Sequence, residues 1–206
     1  MEKRIIECVP NFSEGRNKAV IQQITSAIEA VDGVKLLDVD PGEATNRTVV
    51  TFVGEPEAVL EAAFQGVKKA AEVIDMRNHK GAHPRMGATD VCPLIPIAGI
   101  TLEECAELAR QLAKRIADEL HVPTYCYEAA AFTPERRNLA VCRAGEYEAL
   151  PEKMNHEGKA PDFRRPSLRR GRSTHGCHRR RCTRLPDRRE LQPEHHFDAS
   201  RQRHRV

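Results

Sequence analysis

One string in the 206-residue chain gathers side chains suited to acid–base chemistry: His79-Lys80-Gly81-Ala82-His83-Pro84-Arg85-Met86-Gly87-Ala88. An imidazole titrates near ~6.5, so His83 can take and return a proton at neutral pH. Pro84 restricts the preceding residue to extended backbone, which limits where the His83 ring can go. The plainer reading is a loop histidine that caps a backbone group. Arg47 and Arg85 carry planar guanidinium forks that match the carboxylates of an anionic ligand, although a solvated surface role is as ordinary for a lone arginine. Asp40 precedes Pro41-Gly42 and is first a turn former. As a carboxylate it could also orient an imidazole. Asn11, just after Pro10, either closes a turn or meets a ligand.

The elements around these loops follow from apolar spacing. Arg4 to Val9 reads as a short strand ending at Pro10. Val20, Ile21, Ile24, Ile28 and Val31 recur at helical spacing, up to Asp32-Gly33. Val34 to Val39 and Thr48 to Val53 read as strands, the first broken by Asp40-Pro41-Gly42 and the second by Gly54. Val59, Ala63, Val67, Ala70 and Ile74 make a second helical stripe. Val91 to Ile97 reads as a further strand, and Pro93 and Pro96 mark it as an edge or irregular one. Thr101 and Glu104 form a capping box that opens a third helix, with Leu102, Cys105, Leu108, Leu112, Ile116 and Leu120 on one face. Pro123 to Tyr127 returns as a strand. The order β-α-β-β-α-β-α-β predicts an α+β fold: a ferredoxin-like split β-α-β sandwich, helices on one face of a mixed or antiparallel sheet. The polar loops at one edge of such a sheet can converge on a shared cleft.

Composition divides the chain. Residues 1–163 hold 19 Lys and Arg against 26 Asp and Glu, a net −7. Residues 164–206 hold 14 Arg, no Lys and 4 acids, a net +10. The overall +3 describes neither part. The second part has too few apolar residues to offset chain entropy, so a disordered basic tail is expected there. No apolar run approaches the ~18 residues of a membrane span, and a secretory leader is not expected. Seven Cys without dense regular spacing point to reduced thiols and a cytoplasmic protein. Cys8, Cys92 and Cys105 read as core residues, and the cysteines before residue 164 show no metal pattern. A glycine-flanked Ser nucleophile and a phosphate-binding glycine loop are both absent.

Four strings carry a resemblance. ECVPNFSEGRN, LLDVDPGEATNRTVVTFVG, IDMRNHKGAHPRMGATDVCPLIPI and RAGEYEALPEKM, in this order, resemble the amino-terminal part of the glutamate formimidoyltransferase family. The likeness extends to about Phe163. It implies a ferredoxin-like subdomain (residues 1–163) followed in the family by a second, related subdomain. It also implies transfer of a formimino group from N-formimino-L-glutamate to tetrahydrofolate as co-substrate, without a metal, in histidine degradation and one-carbon metabolism. Some relatives move a formyl group instead. The resemblance places His83 as the catalytic acid–base. From chemistry and position, Asp40 is expected to orient it, and Asn11, Arg47 and Arg85 to meet the substrate. The family also implies an oligomer in its intact form.

The tail, RRPSLRRGRSTHGCHRRRCTRLPDRRELQPEHHFDASRQRHRV, departs from the family. A small-residue loop that holds the folate is expected after Phe163, then the second subdomain. A nucleic-acid arm is one reading of fourteen arginines, weakened by the lack of stacking aromatics beyond Phe197. A zinc site at His175, Cys177, His178 and Cys182 lacks a separated second pair of ligands. A frameshift is the preferred reading. Read one nucleotide later, synonymous codons for residues 176–205 permit a text containing the strand-like AFLIA, which resembles the family's continuation. The folate loop and the carboxyl-terminal subdomain are then missing from the chain, and its activity as written is expected to be impaired.

Overall fold

The computed structural model describes residues 3–156, 158–163 and 197–198. Its main sheet has six strand segments: β1 (Ile5–Cys8), β2 (Asn11–Phe12), β3 (Val34–Gly42), β4 (Arg47–Gly54), β5 (Thr89–Val91) and β6 (Leu94–Ala98). Every pairing among them is antiparallel. β1 and β2 lie end to end along β4, with Ile6 opposite Gly54 and Phe12 opposite Thr48. β5 and β6 continue this arrangement on the outer side, β5 against β2 and β6 against β1. Counted as whole strands, the order across the sheet is β3, β4, β1–β2, β5–β6. That is the ferredoxin-like order, and the sheet is antiparallel throughout.

Three longer helices go with this sheet: α1 (Lys18–Glu29) between β2 and β3, α2 (Pro56–Val73) between β4 and β5, and α3 (Leu102–Leu120) after β6. Asn17 caps α1, its side-chain oxygen accepting from the Ala19 and Val20 amides at 3.1 and 3.3 Å. Pro56 opens α2, where a missing N–H costs nothing. Thr101 and Glu104 form the reciprocal box at the start of α3. The buried stripes of the helices, among them Ile24 and Ile28 of α1 and Val59, Phe64 and Val67 of α2, pack with Ile6, Phe12, Val50 and Phe52 of the sheet in one core. Each large side chain taken wholly out of water there contributes about 1.5–3 kcal/mol. The helix periodicity is reproduced closely, except that Leu102 is exposed. At the first helical position it lies one turn ahead of the α3 residues that meet the core.

Other differences have plain causes. β3 runs to Gly42, three residues past the predicted end. It borders only β4, so Pro41 has a free edge that does not require its missing N–H. The predicted strand over 91–97 divides around Cys92-Pro93, where the Pro93 carbonyl accepts from the Val9 amide at 3.2 Å. The predicted strand at 123–127 shrinks to β7 (Thr124–Tyr125), which stays out of the main sheet. It pairs in parallel with β8 (Phe197–Asp198). Beyond it come α4 (Leu139–Arg143) and α5 (Leu150–Lys153), two short helices. α4 sits against a second cluster, Met86, Val91, Tyr125, Tyr127, Leu139 and Cys142. Cys8, Cys92 and Cys105 are buried thiols. No helix among the described residues is long and apolar enough to cross a membrane. The zinc reading, the nucleic-acid arm, the frameshift and the expected unfolded tail concern positions that, apart from 197–198, lie outside the described residues.

The α3 capping box gives a local test of the fold. Thr101→Ala removes the hydroxyl that accepts from the Glu104 amide and should lower stability by about 1 kcal/mol. Urea unfolding monitored by circular dichroism checks this, with an unchanged slope expected.

Candidate active site

Three loops meet at one end of the sheet: residues 13–16 after β2, 43–46 between β3 and β4, and 79–88 between α2 and β5. Asn46 holds them together. Its side-chain oxygen accepts from the Gly15 amide at 3.0 Å, and its Nδ2 donates to the Lys80 carbonyl at 3.0 Å. Its own carbonyl accepts from His79 Nε2 at 2.9 Å. Asn46 has φ +49°, a conformation that asparagine tolerates better than most residues. Further bonds complete the join: Ser13 N to the Ala88 carbonyl at 2.8 Å, Ser13 Oγ to the Gly87 carbonyl at 2.6 Å, and Ala82 N to the Ala44 carbonyl at 3.2 Å. Gly81 passes so close that a Cβ would stand 2.2 Å from the Thr45 carbonyl oxygen, which only glycine avoids.

This join brings the first residue of β4 to the expected histidine. Arg47 Nη1 lies 2.7 Å from His83 Nε2. A guanidinium can only donate, so Nε2 accepts, the neutral ring carries its proton on Nδ1, and the tautomer follows from chemistry. His83 Nδ1 is buried without a well-formed hydrogen bond. Burial first, and the Arg47 charge second, lower the His83 pKa below the ordinary imidazole value; Asp90 pulls it upward. Arg47 is half-buried, and its own pKa is lowered by burial. It makes no ion pair among the described residues, so its charge is not cancelled at close range.

Behind this pair lies a buried ion pair that sequence reading missed. Asp90, on β5, is wholly buried. Its Oδ2 accepts from Arg143 Nη2 of α4 at 2.7 Å, and its Oδ1 accepts from the Met86 amide at 2.8 Å. Burial raises the Asp90 pKa, and Arg143 acts against that rise. The signal was present: a carboxylate within ATDVCPLIPI must find a partner if that run is buried. Nothing local pointed to Arg143, 53 residues away.

The other expected site residues stand differently. Asp40 is exposed on β3, opposite Val49, and its charge acts on Arg47. It makes no hydrogen bond to His83, and the carboxylate whose field reaches the ring is that of Asp90. Arg85 is committed elsewhere. Its guanidinium donates to Glu146 at 2.8 Å and grips both oxygens of Glu148 at 3.0 and 2.6 Å. Glu148 raises the Arg85 pKa. The residue ties the 79–88 loop to the segment before α5 and is already neutralised. Asn11 is buried and donates from Nδ2 to the Val9 carbonyl at 3.0 Å, closing the turn across Pro10. Of the expected set, the fold joins His83 and Arg47, keeps Asp40 within electrostatic reach of Arg47, and uses Arg85 and Asn11 as structural ties.

A cavity of about 730 Å³ adjoins α4. Ala140, Val141 and Cys142 form part of its wall, while Arg143 of the same helix reaches Asp90. Two of its polar groups bond internally: Lys153 Nζ donates to the Cys142 carbonyl and the Tyr125 hydroxyl to the Lys159 carbonyl. Neither His83 nor Arg47 lines this cavity. Among the described residues no three His, Cys, Asp or Glu side chains stand together as a metal group.

Fold and site together define a ferredoxin-like α+β domain whose loop cluster pairs a histidine with an arginine that makes no ion pair among the described residues. Residues 5–178 match the model of the formiminotransferase domain, N-terminal subdomain, and the chain belongs to that family. It is 55% identical over 160 residues to formimidoyltransferase-cyclodeaminase of Mus musculus, covering 78% of this chain and 30% of the relative. It is 51% identical over 160 residues to glutamate formimidoyltransferase of Streptococcus pyogenes serotype M1, covering 78% and 54%. The corresponding protein of Thermoplasma acidophilum is 47% identical over 161 residues, covering 77% and 53%. The matched region thus spans about a third to about half of the length of these relatives.

The buried ion pair makes a direct prediction. Arg143→Met strands the Asp90 carboxylate in the interior and should cost about 3–5 kcal/mol of stability. The lost cation raises the folded-state pKa of Asp90 further above its unfolded value, so the deficit grows as pH rises from acid toward neutral. Denaturant unfolding at several pH values measures this, and Asp90→Asn in the same chain should recover part of the loss.

Proposed function

We propose that this chain carries the acid–base part of a site that transfers a formimino group from N-formimino-L-glutamate to tetrahydrofolate. The observation that supports it best is the His83–Arg47 pair: a neutral imidazole able to handle a proton, beside a cation with no carboxylate of its own. In the reaction a ring nitrogen of the folate attacks the formimino carbon. A new N–C bond forms, and the C–N bond to glutamate breaks. One proton leaves the attacking nitrogen and one arrives on the departing glutamate nitrogen, and His83 serves both transfers in turn. Arg47 meets a substrate carboxylate, since a charge-assisted bond is roughly twice as strong as one to a neutral acceptor. Arg85 and Asn11 act by holding the loops, and Asp40 tunes the charge around Arg47.

The division of the chain after Phe163 into the family subdomain and a divergent basic segment is part of the same proposal. The matches to the relatives run over 160 residues, 78% of this chain, which supports it.

The experiment is a transfer assay with N-formimino-L-glutamate and tetrahydrofolate, on this chain and on one continued through the family's second subdomain. The continued chain should transfer the group and the 206-residue chain should be strongly impaired. His83→Ala in the continued chain should lower turnover by ~100- to 10,000-fold with an unchanged unfolding midpoint. Near-normal turnover in that variant removes His83 from the chemistry. Full activity in the 206-residue chain refutes the fragment reading.

A further inference from the structure

We propose that Arg47 is also a positioning residue that keeps His83 idle until substrate arrives: its guanidinium occupies Nε2, and an anionic substrate group draws it away. The inference rests on the formimino-transfer reading of the same site and concerns how that site is switched on.

The geometry carries the argument. To act as a base, the neutral ring must offer an unoccupied lone pair, and the neutral tautomer has only one. Here that lone pair accepts from Arg47 Nη1 at 2.7 Å. The other nitrogen is buried and holds the proton. The ring is thus in the correct charge state but blocked. The bond that blocks it joins a full cation to a neutral acceptor, the weaker of the choices open to an arginine.

The charged groups facing the pair leave Arg47 as the member able to move. Arg143 on α4 is bound to Asp90 on β5, and Asp90 is further held by the Met86 amide. Asp40 on β3 acts on Arg47 through space only. Arg47 is the one arginine facing the pair that has no ion-pair partner among the described residues. A carboxylate brought by the substrate offers it a stronger bond than the imidazole does. Its departure frees Nε2 and at the same time takes a positive charge off the ring, which makes His83 a better proton acceptor. Ligand binding and base release become one event, and a histidine without substrate stays shut.

Nitrogen-15 spectra of the imidazoles in the 206-residue chain test this, with N-formimino-L-glutamate as the probe. In the free wild type, His83 should show the Nδ1–H tautomer with Nε2 accepting. Arg47→Met should move its titration midpoint upward, toward the ordinary imidazole value. Arg47→Lys, which keeps a single donor, should preserve the tautomer. Saturation with the probe should raise the midpoint in the wild type and leave Arg47→Met unchanged. Identical tautomer and midpoint in the wild type and Arg47→Met overturn the proposal. A probe that binds, seen from shifts in β4 amides, without altering the His83 ring overturns the release step and leaves the formimino reading standing. A probe that shifts no signal at saturating concentration counts against the release step and that reading together. A well-dispersed amide spectrum confirms that each variant is folded.

Discussion

The contact from Arg47 to His83 joins two residues that no single element could bring together. One begins the central strand β4, and the other lies midway along the loop between α2 and β5. Its 2.7 Å length depends on the positions of three loops, and Asn46 sets these with two side-chain bonds and one carbonyl. The close passage of Gly81 over Thr45 belongs to the same constraint. Take away the convergence and the histidine is an ordinary loop residue. With it, the ring is held half-buried, neutral and in one tautomer.

The surrounding charges give this arrangement its sign. Asp90 and Arg143 cancel inside the protein at a cost in desolvation that their bond and the Met86 amide offset. Their value to the site is to fix α4 against the loop bearing His83, with the apolar cluster around Met86 and Leu139 sealing the join. Arg85 makes a second tie through Glu146 and Glu148. Both arginines are used up by these bonds. Arg47 is not cancelled in this way by an ion pair among the described residues, and its guanidinium stands directly against the histidine ring. That asymmetry suits an anionic substrate that must both bind and exchange a proton.

Much of this was legible from residue spacing. Periodicity located α1, α2 and α3, and the Thr101 box fixed the start of α3. The strand order led to the antiparallel ferredoxin-like sheet. Reading failed where a tertiary neighbour decides. Pro41 and Gly42 look like a turn, yet they extend β3 because that edge asks nothing of them. Short helices such as α4 and α5 have too few turns to show a period. Among the residues that the fold brings together at the loops, His83 and Arg47 were picked out by type and company. Asp90 and Arg143 were not, since a pair 53 residues apart leaves no local pattern. Arg85 and Asn11 were chosen for a chemistry that they can perform, while the fold gives them structural bonds first.

The central claim is that His83 stands neutral and depressed in pKa beside Arg47, ready to act as a base once uncovered. The pH dependence of kcat/KM for formimino transfer, in the chain continued through the second subdomain, tests it most directly, because that profile reports the essential groups of the free enzyme. The account predicts an acid limb lying below the ordinary imidazole value near ~6.5 and absent from the residual rate of His83→Ala. An acid limb above that value, or one that persists unchanged without His83, contradicts it.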